Sequence, residues 1–369
     1  MARTARAVVA RTLNQPVAVE EIEVESPRRG EVMIKMAATG VCHSDLSATN
    51  GTIKFPLPVI LGHEASGVIV EVGDGVTEYA IGDHVVSSFV SMCGKCRYCA
   101  TGRPQLCDQG ARTLWSLPDG THRTKDRAGN ALNIFSGCGV MAEYATLHVD
   151  NCVKIRADMP LQPAALVSCG VMTGVGAVFN TAKIEAGSSV LVSGAGGVGL
   201  NAIQAAAIAG ARDIIAVDIS DEKLALARQF GATQTINASR EENLVKTIKK
   251  MSDGGPDYCF ECAGIGKMVE TLFRAMRKGG TTVCVGVTKG DDTVPIRPAM
   301  AVFEEKTLTG SYFGSARPRE DFPRLMSLYM AKRLKLDELI TKTYRIDQAP
   351  QAFADLEAGK NARGVIVYD

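Results

Sequence analysis

The sequence has almost no surplus of charge, since 41 Lys and Arg residues face 40 Asp and Glu residues and leave a formal net charge of +1. This balance does not suit a chain that binds a polyanion, so we expect no nucleic-acid partner. The sequence also lacks internal repeats and low-complexity segments. With 369 residues, 46% of them hydrophobic, the chain is long enough for two packed cores without disulfide stapling.

No stretch of the sequence is typical of a secretory leader or of a membrane span. The first eleven residues carry three arginines and no uninterrupted apolar segment of signal-peptide length. Two segments, 159–182 and 188–211, contain no charged residue, but the second has the glycine-rich texture of a strand, turn and helix in a globular core. We therefore expect a cytoplasmic protein with no membrane partner.

The pattern of apolar runs divides the chain into two domains. Up to about residue 153, short alternating or apolar runs separated by Gly, Pro and Asp are typical of strands with long loops. Apolar strands, predicted at 189–193, 213–217, 258–261 and 281–287, then alternate with helical segments, which predicts a parallel sheet covered by helices. After about residue 308 this alternation ends, and the tail is expected to rejoin the first domain. We predict an α/β fold with domains at 1–166 plus 310–369 and at 167–309.

A glycine-rich motif, Gly194-Ala195-Gly196-Gly197-Val198-Gly199, follows a predicted strand and opens a predicted helix. Glycine lets the backbone approach a pyrophosphate closely, and a helix N-terminus offers unpaired N–H groups and a positive dipole end. Asp218, at the end of the next strand, can bind ribose hydroxyls and would repel a 2′-phosphate, so NAD is favoured over NADP. Lys223 is a candidate for a further ribose contact. The alternative is a turn that serves packing alone.

Eleven cysteines in a chain of this type indicate metal or redox chemistry more than disulfides. Four of them, Cys93, Cys96, Cys99 and Cys107, follow the pattern C-x2-C-x2-C-x7-C and predict a closed structural zinc site. An iron–sulfur cluster is an alternative, but its common bacterial motif places the fourth cysteine three residues on and follows it with proline. Free thiols or a redox pair are the remaining alternative.

Three further candidate ligands are scattered along the chain. Cys42 lies in Gly-Val-Cys-His-Ser-Asp, His63 in Gly-His-Glu, and Cys169 in Ser-Cys-Gly. Spacing alone does not join them, because a lone buried cysteine or histidine is more often a core residue than a ligand.

Taken in order, the motif Gly62-His63-Glu64-Ala65-Ser66-Gly67-Val68, the four-cysteine loop and the turn at 194–199 resemble zinc-dependent medium-chain alcohol dehydrogenases of the liver type. The resemblance covers essentially the whole chain. It implies a GroES-like, β-rich catalytic domain and a Rossmann domain with a doubly wound parallel sheet. It also implies that Cys42, His63 and Cys169 bind a catalytic zinc whose fourth position takes water or an alcohol oxygen. The implied reaction is hydride transfer between an alcohol and NAD, with two zinc ions per chain.

The same resemblance assigns supporting roles. Ser44 is expected to accept the substrate proton, and Asp45 and Glu64 are expected to orient His63 and tune the metal. Cofactor contacts are implied for three residues, namely His43 and Arg363 at the pyrophosphate and Thr173 at the nicotinamide. One departure concerns the proton relay, because Ser47 stands where liver-type relatives have a histidine.

Apolar residues are expected at the substrate pocket by the same comparison, namely Ile53, Phe89, Trp115 and Phe135. They suit a medium-sized aliphatic or aromatic alcohol, although ordinary core packing is the alternative for each one. Relatives that act on the glutathione adduct of formaldehyde carry acidic residues where this chain has Ile53, Lys54 and Phe55, so that substrate is disfavoured.

Other readings of the sequence stay open. A polyol or amino-alcohol dehydrogenase on the same scaffold is one alternative to the alcohol dehydrogenase, and a non-enzymatic NADH-binding zinc protein is another. For the assembly, the long segment 107–135 favours a homodimer, with edge strands near 300–313 pairing across the interface.

Overall fold

Three sheets organise the computed structural model, which describes residues 2–369. In chain order the strands are β1 (Arg3–Ala10), β2 (Ala18–Val24), β3 (Glu31–Val41), β4 (Val59–Ile60), β5 (Ala65–Val72), β6 (His84–Ser87), β7 (Thr124–Asp126), β8 (Asn133–Ile134), β9 (Tyr144–His148), β10 (Cys152–Lys154), β11 (Ser189–Ser193), β12 (Asp213–Asp218), β13 (Gln234–Asn237), β14 (Tyr258–Glu261), β15 (Thr281–Cys284), β16 (Thr307–Gly310), β17 (Ile340–Arg345) and β18 (Arg363–Val367).

The α-helices are mostly short outside the second half of the chain. They are α1 (His43–Thr49), α2 (Arg97–Ala100), α3 (Asp108–Arg112), α4 (Leu161–Ala165), α5 (Gly170–Gly176), α6 (Gly197–Ile208), α7 (Asp221–Gln229), α8 (Leu244–Met251), α9 (Gly266–Ala275), α10 (Pro298–Glu304), α11 (Pro318–Met330) and α12 (Ala349–Glu357).

The first unit contains the chain up to Cys169 together with Arg317–Lys332 and Leu336–Asp369. Its strands form one sheet in the order β7-β2-β1-β4-β8 and another in the order β10-β6-β5-β3-β18-β17, with β9 also paired to β3. The long strand β3 is buried at most positions because it pairs with β5, β9 and β18. Since β18 comes from the end of the chain and pairs with β3, the tail belongs to this β-rich unit.

The second unit contains Gly170–Ala316 and Arg333–Lys335. Its six strands are all parallel, in the order β13-β12-β11-β14-β15-β16. Strand β11 is buried at every residue, as expected for the centre of a parallel sheet covered on both faces. The strand order reverses between β11 and β14, which makes their carboxyl ends the switch point where such sheets bind ligands. The predicted α/β fold, β-rich plus Rossmann, is confirmed.

The units differ slightly from the predicted domain bounds. The structure divides the chain after Cys169 and after Ala316, a few residues beyond the predicted divisions after 166 and 309. The segment Arg333–Lys335 joins the second unit, where the Lys335 N–H donates to Gln204 Oε1 over 2.9 Å.

Two element predictions are wrong in part. The strand predicted at 281–287 ends at Cys284 because the backbone turns at Gly286, where a Cβ would lie 2.2 Å from the Gly264 nitrogen. The segment 300–313, expected as an edge strand, is helical up to Glu304 and extended only in β16.

Among the described residues, no single helix is long and apolar enough to cross a membrane. One pair of helical segments, Leu161–Ser168 and Gly170–Ala182, is long and apolar enough only when the two are taken together, and the pair is bent by 57°.

Candidate active site

The four-cysteine loop forms a compact cluster of sulfurs. The Sγ atoms of Cys93, Cys96, Cys99 and Cys107 all lie within 4.8 Å of one another. Backbone N–H groups point at these sulfurs, as in the contact from the Cys96 N–H to Cys93 Sγ over 3.4 Å. N–H donation from Cys99 and Asp108 lowers the pKa of Cys96 to about 6, whereas burial raises the pKa of Cys99 and Cys107.

This geometry fits a tetrahedral metal ion. Sulfurs bound at about 2.3 Å in a tetrahedron are separated by about 3.8 Å, and Sγ of Cys96 lies 4.0 Å from Sγ of Cys107. Four soft ligands with no open position match a structural zinc site.

A second cluster joins residues that the sequence keeps far apart. Cys42 lies between β3 and α1, and His63 and Glu64 lie between β4 and β5. Cys169 is the last residue of the first segment of the β-rich unit. Their ligand atoms lie within 4.8 Å of one another, and all four residues are buried. The structure therefore brings together the three expected ligands and the expected supporting carboxylate.

Charge in this cluster favours a bound cation. Burial opposes a charged imidazolium, yet the Asp45 carboxylate and the Cys42 thiolate raise the pKa of His63 to about 10. The contact with Cys169, together with the charges of His63 and Arg363, holds the pKa of Cys42 well below its usual range. Nε2 of His63 is buried and has no hydrogen-bond partner among the described residues. Two sulfurs and this nitrogen fit a catalytic zinc ion.

Asp45 orients the histidine ligand. Its Oδ2 lies 3.2 Å from His63 Nδ1, and its Oδ1 accepts a hydrogen bond from the Gly62 N–H over 2.8 Å. Both side chains are fully or nearly fully buried. Because Nδ1 faces the carboxylate, Nε2 is the nitrogen left to bind a metal.

Two buried hydroxyls that sequence reasoning missed tie the ligand segments together. Ser87 Oγ donates to the His63 carbonyl over 3.1 Å and accepts from the Ala65 N–H over 2.9 Å. Ser168 Oγ, next to Cys169, also accepts from the Ala65 N–H, over 3.2 Å. No local signal marks these serines, because their partners are remote in sequence.

Glu64 is paired with Arg363 at the start of β18, and both side chains are buried. Arg363 supplies a cation beside the buried carboxylate, since an isolated buried charge would be costly. The contact of Arg363 with a pyrophosphate stays a prediction.

Aromatic rings surround the histidine ligand. His63 meets Phe89 and Phe135 edge to face, with ring centroids 5.6 and 5.4 Å apart. Phe135 packs on Phe55 at 4.8 Å, and Phe55 meets Trp115 at 6.4 Å. Phe55 is a residue that sequence reasoning did not assign to the pocket.

The remaining predicted pocket and relay residues lie on and just after α1. Ile53 is half-buried and donates its N–H to the Ser47 carbonyl over 2.9 Å. Ser44 Oγ lies 3.8 Å from Cys42 Sγ, while His43 is exposed at the first position of α1. Ser44 thus stands next to a candidate metal ligand, and the roles of His43 and Ser47 stay predictions.

The glycine-rich loop of the second unit has the shape of a phosphate-binding turn. Gly194 has φ +90°, and a Cβ on Gly199 would lie 1.7 Å from the Gly194 carbonyl oxygen. Gly196, the residue before α6, has nothing within 4 Å of its virtual Cβ, which leaves room for a ligand at the helix N-terminus. Gly197 and Val198 form the first turn of α6.

Asp218 ends β12 beside this loop and accepts the Ala195 N–H at Oδ2 over 2.8 Å. Its Oδ1 accepts the N–H groups of Ile219 and Ser220 over 2.8 and 3.0 Å. These bonds fix the carboxylate at the end of β12, the strand next to β11 at the switch point. Lys223 lies in the first turn of α7, which Ser220 caps, and Thr173 is half-buried in α5.

Two further exposed residues flank the same edge of the sheet and were missed by sequence reasoning. Ile219 follows β12 and is 72% exposed, and Ile265 follows β14 and is 51% exposed. Isolated exposed isoleucines carry no signal in a sequence, but here they follow β12 and β14, the two strands that pair with β11.

Each of the two units contains a region that matches a known family model. Residues 28–157 match the model of the alcohol dehydrogenase GroES-like domain, and residues 197–331 match the model of the zinc-binding dehydrogenase family. The chain is 41% identical to an NDMA-dependent alcohol dehydrogenase of Amycolatopsis methanolica, with 98% of each chain covered. It is 37% identical to an S-(hydroxymethyl)glutathione dehydrogenase of Paracoccus denitrificans, with 98% and 99% covered.

A solved structure extends this agreement. Benzyl alcohol dehydrogenase of Acinetobacter calcoaceticus is 33% identical and superposes with a TM-score of 0.92 over 100% of both chains. Fold, metal-ligand clusters and relatives agree, and the chain belongs to the zinc-dependent medium-chain alcohol dehydrogenases, oxidoreductases that act on alcohols.

Proposed function

We propose that this protein interconverts medium-sized alcohols and their aldehydes or ketones with NAD as the hydride acceptor and donor. The observation that carries the proposal is the buried meeting of Cys42, His63, Glu64 and Cys169 within 4.8 Å. When bound, zinc would supply Lewis acidity at the alcohol oxygen, and NAD would supply the hydride acceptor.

Residues of the chain have distinct roles in this proposal. Cys42, His63 and Cys169 hold the metal, and Asp45 keeps the His63 ring in the orientation that presents Nε2. Ser44 Oγ takes the proton from the alcohol. Because Ser47 carries no imidazole, we propose that the proton leaves Ser44 through water or the cofactor ribose.

The case for NAD rests on the second unit. The space at Gly196 and the first turn of α6 suit a pyrophosphate, and the fixed carboxylate of Asp218 suits a ribose with free hydroxyls. A 2′-phosphate would meet the negative charge of Asp218. Ile219 and Ile265 would offer apolar contact to the adenine.

A direct assay tests these statements. Purified protein is mixed with benzyl alcohol, 1-hexanol, 2-butanol or sorbitol and with NAD, NADP or NDMA, and reduction of the acceptor is followed by absorbance. We expect turnover with NAD and the apolar alcohols, and little with sorbitol or NADP. Turnover with NDMA alone would place the protein with its Amycolatopsis relative and contradict NAD as the exchangeable acceptor.

Variants separate catalysis from folding. Cys42→Ala is expected to abolish turnover, whereas Cys152→Ala, a buried cysteine in a hydrophobic core outside both clusters, should keep it. Full activity in Cys42→Ala would contradict metal-assisted chemistry. Glutathione-adduct oxidation, the activity named for the Paracoccus relative, is disfavoured by Lys54 and the apolar residues beside it.

We also propose a cytoplasmic homodimer. The eleven cysteines are free thiols, which suits a reducing compartment.

The homodimer is proposed from the edge of the parallel sheet. Strand β16 is at the edge of its sheet, and nearby Phe303 is 83% exposed. A second copy pairing along β16 would cover this surface. Sedimentation of wild type and Phe303→Glu tests it: the variant should be monomeric, and a monomeric wild type would contradict the proposal.

A further inference from the structure

A row of aromatic side chains runs outward from the histidine ligand. Phe89 and Phe135 contact the His63 ring, Phe55 contacts Phe135, and Trp115 contacts Phe55. Aromatic residues are only 5% of the sequence, and Trp115 is its single tryptophan. A concentration of rings at one metal-ligand cluster is therefore a feature of this site and not of the whole chain.

The outer part of the row is accessible. Phe135 is 2% exposed and belongs to a hydrophobic core, while Phe55 is half-buried and Trp115 is 44% exposed. A large indole on the surface beside a second ring leaves apolar faces that a ligand can cover. Phe55 packs in part against this core, so the uncovered part of its ring and the exposed indole are the surfaces that a ligand can reach.

The exposed tryptophan is nevertheless held in place. Its carbonyl accepts the Ile134 N–H over 3.1 Å, and the carbonyl of the preceding Leu114 accepts the Gly137 N–H over 2.9 Å. Both bonds attach the loop to the segment that carries Phe135. The backbone of Trp115 is therefore held next to the segment that carries Phe135, as a preorganised recognition surface requires.

We propose that the substrate is an aryl alcohol and that Phe55 and Trp115 select it by packing against its ring. The proposal rests on the proposed function and narrows its substrate class. Aromatic rings prefer edge-to-face and offset contacts with other rings, and such pairs add affinity beyond the area that they bury. An aliphatic chain buries area on the same surface without this contribution.

Aryl alcohols of different lengths would contact different rings of this row. Phe89 and Phe135 are the rings in contact with His63, so the ring of benzyl alcohol packs mainly on them. Trp115 lies two contacts further out, through Phe55. An aryl alcohol with a longer link between ring and hydroxyl, such as cinnamyl alcohol or 3-phenylpropanol, reaches the outer pair and depends on it more.

Binding is measured without turnover through the single tryptophan. The protein as isolated is titrated with 3-phenylpropanol or with 1-hexanol while the emission of Trp115 is followed. We expect a saturable change with the aryl alcohol and a weaker one with hexanol. In Phe55→Leu, which keeps apolar bulk but removes the ring, the apparent Kd for 3-phenylpropanol should rise about two- to tenfold.

Kinetics supply the second measurement. For Phe55→Leu and Trp115→Leu, which both keep apolar bulk but remove the ring, kcat/KM with NAD should fall about two- to tenfold for 3-phenylpropanol, less for benzyl alcohol, and least for 1-hexanol. Ile81→Ala removes an exposed apolar side chain elsewhere in the same unit and should change none of these ratios.

The outcomes separate this proposal from the proposed function. Saturable, aryl-selective emission changes without turnover on NAD would contradict the function and leave the aryl-binding surface supported. Turnover with equal losses for aryl and aliphatic alcohols in both variants would contradict the selective role of Phe55 and Trp115. A linear, unsaturable emission change that Phe55→Leu leaves unaltered would contradict it as well.

Discussion

At the scale of single residues, the chemistry depends on groups that hold a ligand rather than on the ligands alone. His63 would remain a nitrogen donor without Asp45, but its ring would lose the carboxylate that faces Nδ1 at 3.2 Å. The buried carboxylate also accepts the Gly62 N–H, so it fixes the backbone next to the ligand.

We expect Asp45→Asn to weaken zinc binding or turnover about 10- to 100-fold, because the partner that orients the ring and raises its basicity is lost. Zinc affinity by competition with a chelator, together with kcat, measures this. The exposed Asp74, changed to Asn, is the matched control. Unaltered zinc affinity and turnover in Asp45→Asn would show that ring packing alone orients His63.

Residues of the candidate site differ in how far the sequence reveals them. Cys42, His63 and Cys169 stand in motifs that resemble a family, and the four-cysteine spacing is informative by itself. Phe55, Ser87 and Ser168 could not be assigned, since a phenylalanine or serine gains its role only from partners that folding brings near.

At the scale of elements, glycines of the same glycine-rich loop are required for different physical reasons. A Cβ at Gly199 would overlap the Gly194 carbonyl oxygen, so this glycine is required by packing of the turn on its helix. A Cβ at Gly196 meets nothing within 4 Å, so packing does not require this glycine, and we assign its role to the ligand.

Gly199→Ala is therefore expected to lower the free energy of unfolding by about 1–3 kcal/mol through overpacking. Gly196→Ala should unfold like wild type but bind NADH more weakly. Thermal unfolding and a titration of NADH fluorescence measure the two effects. Loss of stability in Gly196→Ala with unchanged NADH affinity would reverse the assignment.

A carboxylate on helix α12 forms two hydrogen bonds with side chains of β17. Asp355 accepts from Lys342 Nζ over 2.7 Å and from the Tyr344 hydroxyl over 2.8 Å. These contacts hold the pKa of Asp355 below its ordinary value. Because the folded pKa is depressed, this stabilisation is complete above the unfolded pKa of about 3.9 and is lost as the pH falls towards the folded value.

Asp355→Asn should accordingly be less stable than wild type near pH 6, and the difference should shrink as the pH is lowered below about 4. Urea unfolding at several pH values measures the difference in the free energy of unfolding. A difference that stays constant down to about pH 2.5 would mean that packing, and not charge, carries the effect of the substitution.

At the scale of the whole molecule, the two cysteine-containing clusters differ in how they connect parts of the chain. The four-cysteine cluster closes a loop that Gln109 attaches to Asp150 over 2.9 Å, whereas the cluster at Cys42 gathers residues from separate parts of the β-rich unit. We expect one zinc ion in each.

Metal analysis of two variants tests this division. Cys96→Ser and Cys42→Ala should each retain about half of the wild-type zinc. Cys96→Ser should lower Tm, because the loop loses its cross-link, while Cys42→Ala should lose activity with a smaller change in Tm. Equal zinc content in wild type and Cys96→Ser would contradict a structural zinc site.

Much of the architecture could be predicted from short stretches of the sequence. The strands at 189–193 and 258–261 were predicted with the bounds that the structure gives them, because parallel central strands are continuous apolar runs. The end of β15 was predicted too late because its limit is set by a close approach of Gly286 to Gly264, which is a contact between distant residues.

By itself, the amino-acid sequence determined the α/β class, the glycine-rich turn and the four-cysteine loop, because each depends on the spacing of neighbours along one strand, turn or loop. Only the tertiary structure decided that Cys42, His63, Glu64 and Cys169 meet, that Arg363 accompanies Glu64, and that four aromatic rings extend from His63. The physical reason is that metal binding and ring packing act over a few ångströms in space, whatever the distance along the chain.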